Sequence, residues 1–128
     1  LLRVGPRLLT WVARINDLPA HIAATELEIG EAVRVTRTGL HWDLSVRPDG
    51  ALTEQGRAPT LIEWPAGVTT PEVSLPDSGV RLTGLRIGDA SEALRALTAN
   101  IARVTCAPGG LPLQASLHTP HGPRVTPQ

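Results

Sequence analysis

Hydrophobic and polar positions alternate along most of this chain, and helical spacing interrupts the alternation twice. In residues 7–15, RLLTWVARI, Trp11, Ala13 and Ile15 share one side while Thr10, Val12 and Arg14 share the other, the period-two signature of a strand. Asn16 and Asp17 then offer helix N-caps and Pro19 suits a first helical turn, so a short helix is predicted through Glu26, ended by Gly30. AVRVTRT (32–38) and LHWDLSV (40–46) alternate again as two strands. Arg47-Pro48-Asp49-Gly50 reads as a turn with Pro second and Gly fourth. A polar stretch, ALTEQGRAP, leads into a fourth strand, TLIEW (60–64).

From Pro65 to Ser78 the chain is rich in Pro, Gly, Ser and Thr, a linker composition, and then the order begins again. GVRLTGLRI (79–87) is a strand. Asp89-Ala90-Ser91-Glu92 has capping-box spacing, with Asp89 as the cap, and Ala90, Leu94, Leu97 and Ile101 recur at helical intervals. ARVTCA (102–107), a Pro108-Gly109-Gly110 turn, LPLQASLHT (111–119) and a short RVT complete the second half. VRVTRTG followed by LHWDLSV matches ARVTCAPGG followed by LPLQASL, including the triplets Arg34-Val35-Thr36 and Arg103-Val104-Thr105, which supports an internal repeat. The predicted fold class is therefore α+β, built from two βαβββ modules, each packing one helix on one face of a mixed sheet. The first module covers 1–66, a linker 67–78, and the second module 79–128.

At 128 residues the chain suffices for one domain or two small modules. Twelve basic residues, all arginine, balance twelve acidic ones without a block of either sign, so neither a nucleic-acid partner nor a membrane surface is expected. No apolar run reaches the roughly 20 residues that span a bilayer, and the arginines of LLRVGPRLLTW break any signal-peptide core, which points to the cytoplasm. Cys106 stands alone, so there is no disulfide framework and no cysteine metal site, and it reads as a small buried hydrophobe. The glycines punctuate turns. They form neither a phosphate-cradling loop nor a nucleophile elbow.

The stretches RLLTWVARINDLPAHIAA, LIEWP and SGVRLTGLRIGDASEALRAL, in this order, resemble the glyoxalase-like domain proteins of the vicinal oxygen chelate superfamily. The resemblance spans nearly the whole chain and implies cupped sheets around a cavity that holds a small molecule. It also implies metal ligands from the first strand of each module and a Glu near the end of each fourth strand. Glu63 stands at that fourth-strand position, but Thr10 occupies the first-strand position where His or Gln is usual. Leu82 occupies the corresponding place in the second half, and HTPHGPRVTPQ holds no carboxylate. No complete metal site and no cofactor are expected from these residues; a divalent metal would need ligands from outside this sequence. Because the family places another module before this arrangement and no initiator Met is present, a missing N-terminal module is expected.

Alternation pairs Glu63 with Leu61 and Ile62 with Trp64. Ile62 and Trp64 are assigned to the helix-packed side, which turns Glu63 into the cavity; the alternatives are a solvated strand end or a salt bridge to an arginine. The candidate ligand-binding residues are Thr10, Arg14 and Glu63, with Glu63 also the candidate catalytic base. His118 and His121 are read as turn residues, because Pro120 and Gly122 preclude a helical zinc pair. His41, Asp43, Ser45 and Arg47 share a face, as half-exposed sheet polarity or as cavity lining. His21 is read as solvent-facing on the first helix. Trp11, Trp42 and Trp64 are the only aromatics, suited to core packing or to the wall of a pocket for a planar ligand. Three functions follow. The first is a protein that binds a small molecule without catalysis. The second is a metal-dependent lyase or dioxygenase completed by a missing module, and the third a structural module that forms a homodimer by pairing sheets across chains.

Overall fold

The computed structural model describes residues 7–127; residues 1–6 of the expected first module and Gln128 lie outside them. Strands β1 (Val12–Arg14), β2 (Glu31–Arg37), β3 (Leu40–Val46) and β4 (Thr60–Glu63) make one sheet, with helix α1 (Leu18–Ala24) between β1 and β2. After the short helix α2 (Pro71–Ser74), strands β5 (Arg81–Gly88), β6 (Val104–Ala107), β7 (Leu113–Thr119) and β8 (Gly122–Thr126) make a second sheet, with helix α3 (Glu92–Thr98) between β5 and β6. The chain divides into two compact units, Thr10–Pro76 and a second that joins residues 7–9 to residues 77–127. The α+β class and the βαβββ order of each half are as the sequence predicts.

In the first unit the strand order is β1-β4-β3-β2, with β1 parallel to β4 and the remaining neighbours antiparallel. Thr38 (φ 48°) and Gly39 (φ 77°) both take the left-handed conformation, the geometry of a two-residue hairpin, and lock β2 to β3 from Glu31↔Val46 to Arg37↔Leu40 without a break. Ala13, Leu18, Ile29, Ala58 and Leu61 form the buried core of this unit. Leu18 comes from α1, and Ala13 and Leu61 are register partners on β1 and β4, so α1 covers the face that carries Ala13 and Leu61. Gly30 ends the helix connection at φ 94°, where an added Cβ would run into the Val46 carbonyl.

The second unit has the same element order with different wiring, β6-β5-β7-β8, in which β5 pairs with β6 in parallel and with β7 in antiparallel fashion. The expected repeat therefore holds for the order of elements and not for the pairing of strands. The loops account for the difference. Thr38-Gly39 forces the second and third strands of the first half together, whereas residues 108–112, Pro-Gly-Gly-Leu-Pro, cannot close a tight hairpin between β6 and β7. The Arg86 guanidinium holds that open loop instead, donating to the carbonyls of Gly109 and Pro108 at 2.9 Å each. Leu85, Ile87, Leu113, Ala115 and Leu94 of α3 form the buried core of this unit.

Several boundaries differ from the sequence reading. The strand expected at 7–15 is regular only over Val12–Arg14, and the helix expected through Glu26 ends at Ala24. ALTEQGRAP contains a 3-10 turn over Thr53–Gly56, and the linker contains α2. The cap of α3 is Ser91, whose hydroxyl accepts from the Leu94 N–H at 3.1 Å. Asp89, expected in that role, sits outside the helix at φ 54° and accepts from the Gly109 N–H at 2.7 Å. Two residues nearer the helix, serine has the extended backbone a cap requires.

Candidate functional site

Glu63 ends β4 beneath the start of α1. Its Oε2 accepts from the Asp17 backbone N–H at 2.8 Å and its Oε1 from the Leu18 N–H at 2.9 Å. The first amides of a helix have no partner within the helix and attract negative charge, so a carboxylate there is stabilising. Asp17 completes the arrangement: its Oδ1 accepts from the Ala20 N–H at 3.3 Å while its own backbone turns through φ 56°. The carboxylate in the apolar strand thus joins β4 to the helix that covers it.

This geometry reverses the assignment of faces made from the sequence. Leu61 and Glu63 do share a side, but it is the helix side: Leu61 is 0 % exposed, while Ile62 and Trp64 lie half-buried on the other. The alternation was legible; which face the helix would choose was not, because Ile62-Trp64 is the more apolar pair and only the Asp17 and Leu18 amides give the Glu63 carboxylate a place on the covered side. Among the candidates, Thr10 does not join Glu63. Its hydroxyl donates to the Ala58 carbonyl at 3.5 Å. Arg14 lies on the face opposite α1, as the register partner of Ile62, and its Nη1 meets Glu72 Oε1 of α2 at 3.2 Å. The three candidate ligand residues are therefore dispersed.

Sheet register shows what Arg14 does lie beside. Trp42 of β3 falls directly opposite Trp64, next to the Asp43↔Glu63 pair, and the two indoles lie with centroids 5.1 Å apart and planes tilted by 37°. A neighbouring row across the same face reads Arg14, Ile62, Leu44, Val33. Val12, Val33 and Val46 on this face are exposed, Val12 by 58 %. The face is broad and apolar, with an offset aromatic pair near its centre and the Arg14–Glu72 ion pair at one side. Trp11 belongs elsewhere: its indole N–H donates to the Arg57 carbonyl at 2.8 Å.

Of the remaining polar candidates, Ser45, Asp43, Arg47 and His21 have structural partners. Ser45 is buried and its hydroxyl accepts from the Leu61 N–H at 2.9 Å. Asp43 receives Arg34 Nε at 3.0 Å across the β2–β3 pair, which raises the Arg34 pKa above its ordinary value. Arg47 clasps Asp49, with Nη2 to Oδ2 at 2.7 Å. The Asp49 carboxyl titrates below its usual range, chiefly because the Ala51 N–H donates to it and secondarily through Arg47. His21 Nδ1 lies 3.1 Å from the Asp17 carbonyl oxygen. His118 is exposed near the end of β7 and His121 occupies the turn into β8. In the second unit a cleft of about 280 Å³ is lined by Asp89, Ala90, Arg95, Cys106, Ala107 and Pro108, and contains none of the candidate ligand residues. Cys106 is half-buried there, its Sγ 3.7 Å from the Thr98 hydroxyl.

The residues that the resemblance would put at metal positions do not offer a divalent ion a donor set. Both Glu63 oxygens are engaged by backbone amides, the Thr10 hydroxyl is turned to a carbonyl, and Leu82 has no donor atom. Among the described residues no three His, Cys, Asp or Glu side chains come together as a metal-binding group. Also among the described residues, no helix is long and apolar enough to cross a membrane. The family model described as a glyoxalase-like domain matches residues 2–105, from before β1 into β6. No curated protein and no solved structure matches the chain.

Proposed function

The chain belongs to the glyoxalase-like domain family, and from that premise we propose that it binds a small, planar, largely apolar molecule on the exposed face of its first sheet. The observation that carries this reading is the Trp42–Trp64 pair, set among Ile62, Leu44 and Val33 on the face α1 leaves open. Small-molecule sites combine predominantly apolar and aromatic walls with a few polar groups that fix orientation. Here the walls are the two indoles and their aliphatic neighbours, and the polar groups are Arg14 and the Glu72 carboxylate paired with it. A ligand seated against the indoles meets π faces that favour offset stacking, and Arg14 is the cation available to an electronegative substituent.

Glu63 takes no part in recognition in this proposal; it secures α1 on the far side of the sheet. Catalysis through a divalent metal has no matching donor set among the described residues. The test is a thermal-shift screen of planar aromatic compounds, with tryptophan fluorescence as a second readout. A compound present at about 100 times its Kd stabilises the fold by about 2.7 kcal/mol. Binding that disappears in Trp42→Ala and persists in Glu63→Gln supports the proposal. Ligands that bind both variants equally, or that require Glu63, refute it.

A further inference from the structure

We infer that two copies of this chain join edge to edge through β2, antiparallel about a two-fold axis at Arg34, so that the first sheet continues from one protomer into the next. The inference rests on the backbone and charges of β2 and does not depend on the ligand proposed above.

A strand at a sheet edge carries a row of unpaired N–H and C=O groups, and proteins blunt such edges with short strands, proline, bulges or charged side chains. Of these, β2 has only the last, in Glu31, Arg34 and Arg37. Among the described residues, three of the four sheet edges are blunted by shortness or proline: β1 spans only Val12–Arg14, β6 only Val104–Ala107, and β8 contains Pro123. The fourth edge, β2, runs unbroken from Glu31 to Arg37, contains no proline, and is exposed at every residue except the half-buried Val35.

The hairpin determines which of its backbone groups face outward. In a two-residue hairpin the pair that flanks the turn, here Arg37↔Leu40, exchanges hydrogen bonds, and bonded pairs then alternate along the ladder. Glu31, Val33, Val35 and Arg37 therefore direct their amides and carbonyls at β3, while Ala32, Arg34 and Thr36 direct theirs away from the sheet. Antiparallel pairing of two such edges about Arg34 sets Ala32 against the partner's Thr36 and Arg34 against the partner's Arg34, for about six backbone hydrogen bonds.

The same register matches the side chains. Glu31 falls opposite the partner's Arg37 and Arg37 opposite the partner's Glu31, two opposite-charge pairs related by the axis. Val33 falls opposite the partner's Val35, on the face that carries Trp42 and Leu44, so the apolar surface runs across the junction. The adverse contact is Arg34 against its own copy, and each of these guanidiniums is already paired with its own Asp43 at 3.0 Å. Sliding the register by one residue pair in either direction sets Glu31 opposite Val35 or Val33 opposite Arg37 and loses part of the backbone ladder. Charge and hydrogen bonding select the same register.

The experiment is sedimentation of the full chain over a range of concentrations, with four variants whose fold is checked by circular dichroism. Glu31→Arg or Arg37→Glu alone sets like charges opposite each other twice, and each weakens the dimer by roughly tenfold or more. The double variant Glu31→Arg/Arg37→Glu re-creates both pairs with reversed sign and restores dimerisation to near the original Kd. Ala32→Pro removes an outward N–H that β3 does not use, and leaves folded monomer. A chain that is monomeric at every concentration overturns the inference. So does a dimer equally tight in all four variants, since another surface would then join the copies.

Discussion

Replacing Glu63 tests whether the carboxylate of β4 serves the helix or a ligand. Its two oxygens accept from two amides at the start of α1, at 2.8 and 2.9 Å. A hydrogen bond to a charged group contributes about 1.5–3 kcal/mol when well shielded. Glu63 is half-buried, so about 1 kcal/mol for each bond is the appropriate figure. Glu63→Ala leaves both amides to water and costs about 2 kcal/mol. Glu63→Gln keeps one acceptor oxygen but turns an amide N–H₂ toward a backbone N–H, and costs about 1 kcal/mol. For a chain of this size each kcal/mol lowers Tm by about 3–5 °C, so the alanine variant melts roughly 6–10 °C below the original. Urea and thermal unfolding followed by circular dichroism measure both variants, with the urea slope unchanged as the check that the folded state is the same. Two variants within about 0.3 kcal/mol of the original chain would refute the capping role. A glutamine variant of full stability that had lost its response to ligand would restore Glu63 to the binding site.

Trp42→Ala removes one ring of the offset pair and abolishes the near-ultraviolet dichroism contributed by coupled indoles. It costs about 1–3 kcal/mol in urea unfolding, since the ring is only half-buried. Gly30→Ala drives a Cβ into the Val46 carbonyl at a left-handed φ, so it destabilises the chain by at least about 2 kcal/mol, whereas Gly39→Ala, which meets open space, costs about 1. Asp77 receives both Arg81 nitrogens, at 2.8 and 2.7 Å, and the Gly79 N–H at 2.8 Å. The Arg81 guanidinium first, then the Gly79 amide, hold its carboxyl far below the usual aspartate range. Because the folded-state value is depressed, the pair's contribution is complete above the ordinary aspartate pKa of about 3.9 and is lost only as pH falls through the lower folded value. Carboxyl-detected NMR should find Asp77 still ionised at about pH 3, and Arg81→Gln should move its titration midpoint upward.

Much of the fold was readable because local chemistry and tertiary packing agree. LHWDLSV forms a strand over Leu40–Val46, bounded by a glycine turn and a proline turn, as its alternation requires. Asp17 and Pro19 mark the start of α1 as their chemistry dictates. Where the reading failed, the deciding contact was remote in sequence. The pairing of β1 with β4 or of β5 with β6 leaves no local trace, and a shared Arg-Val-Thr triplet concealed two different sheets. Glu63 was singled out because a carboxylate in an apolar strand demands a partner, but that partner is a pair of backbone amides 45 and 46 residues away. Trp42 and Trp64 could be named from composition alone; that they face each other depends on a β3–β4 register that alternation does not specify.

The contrast between the two sheets also bears on how each assembles. In the first, Val12 must find Thr60, while in the second Leu85 needs only Val104 across a single helix. Loop-closure entropy makes the longer search slower. As the chain leaves the ribosome, β1 and α1 must wait until β4 has emerged, and the Leu61 surface that buries Leu18 is the last part to arrive. The second half closes its parallel pair over a much shorter stretch, as soon as β6 appears, so its first long-range contact waits on less chain than the one that completes the first sheet.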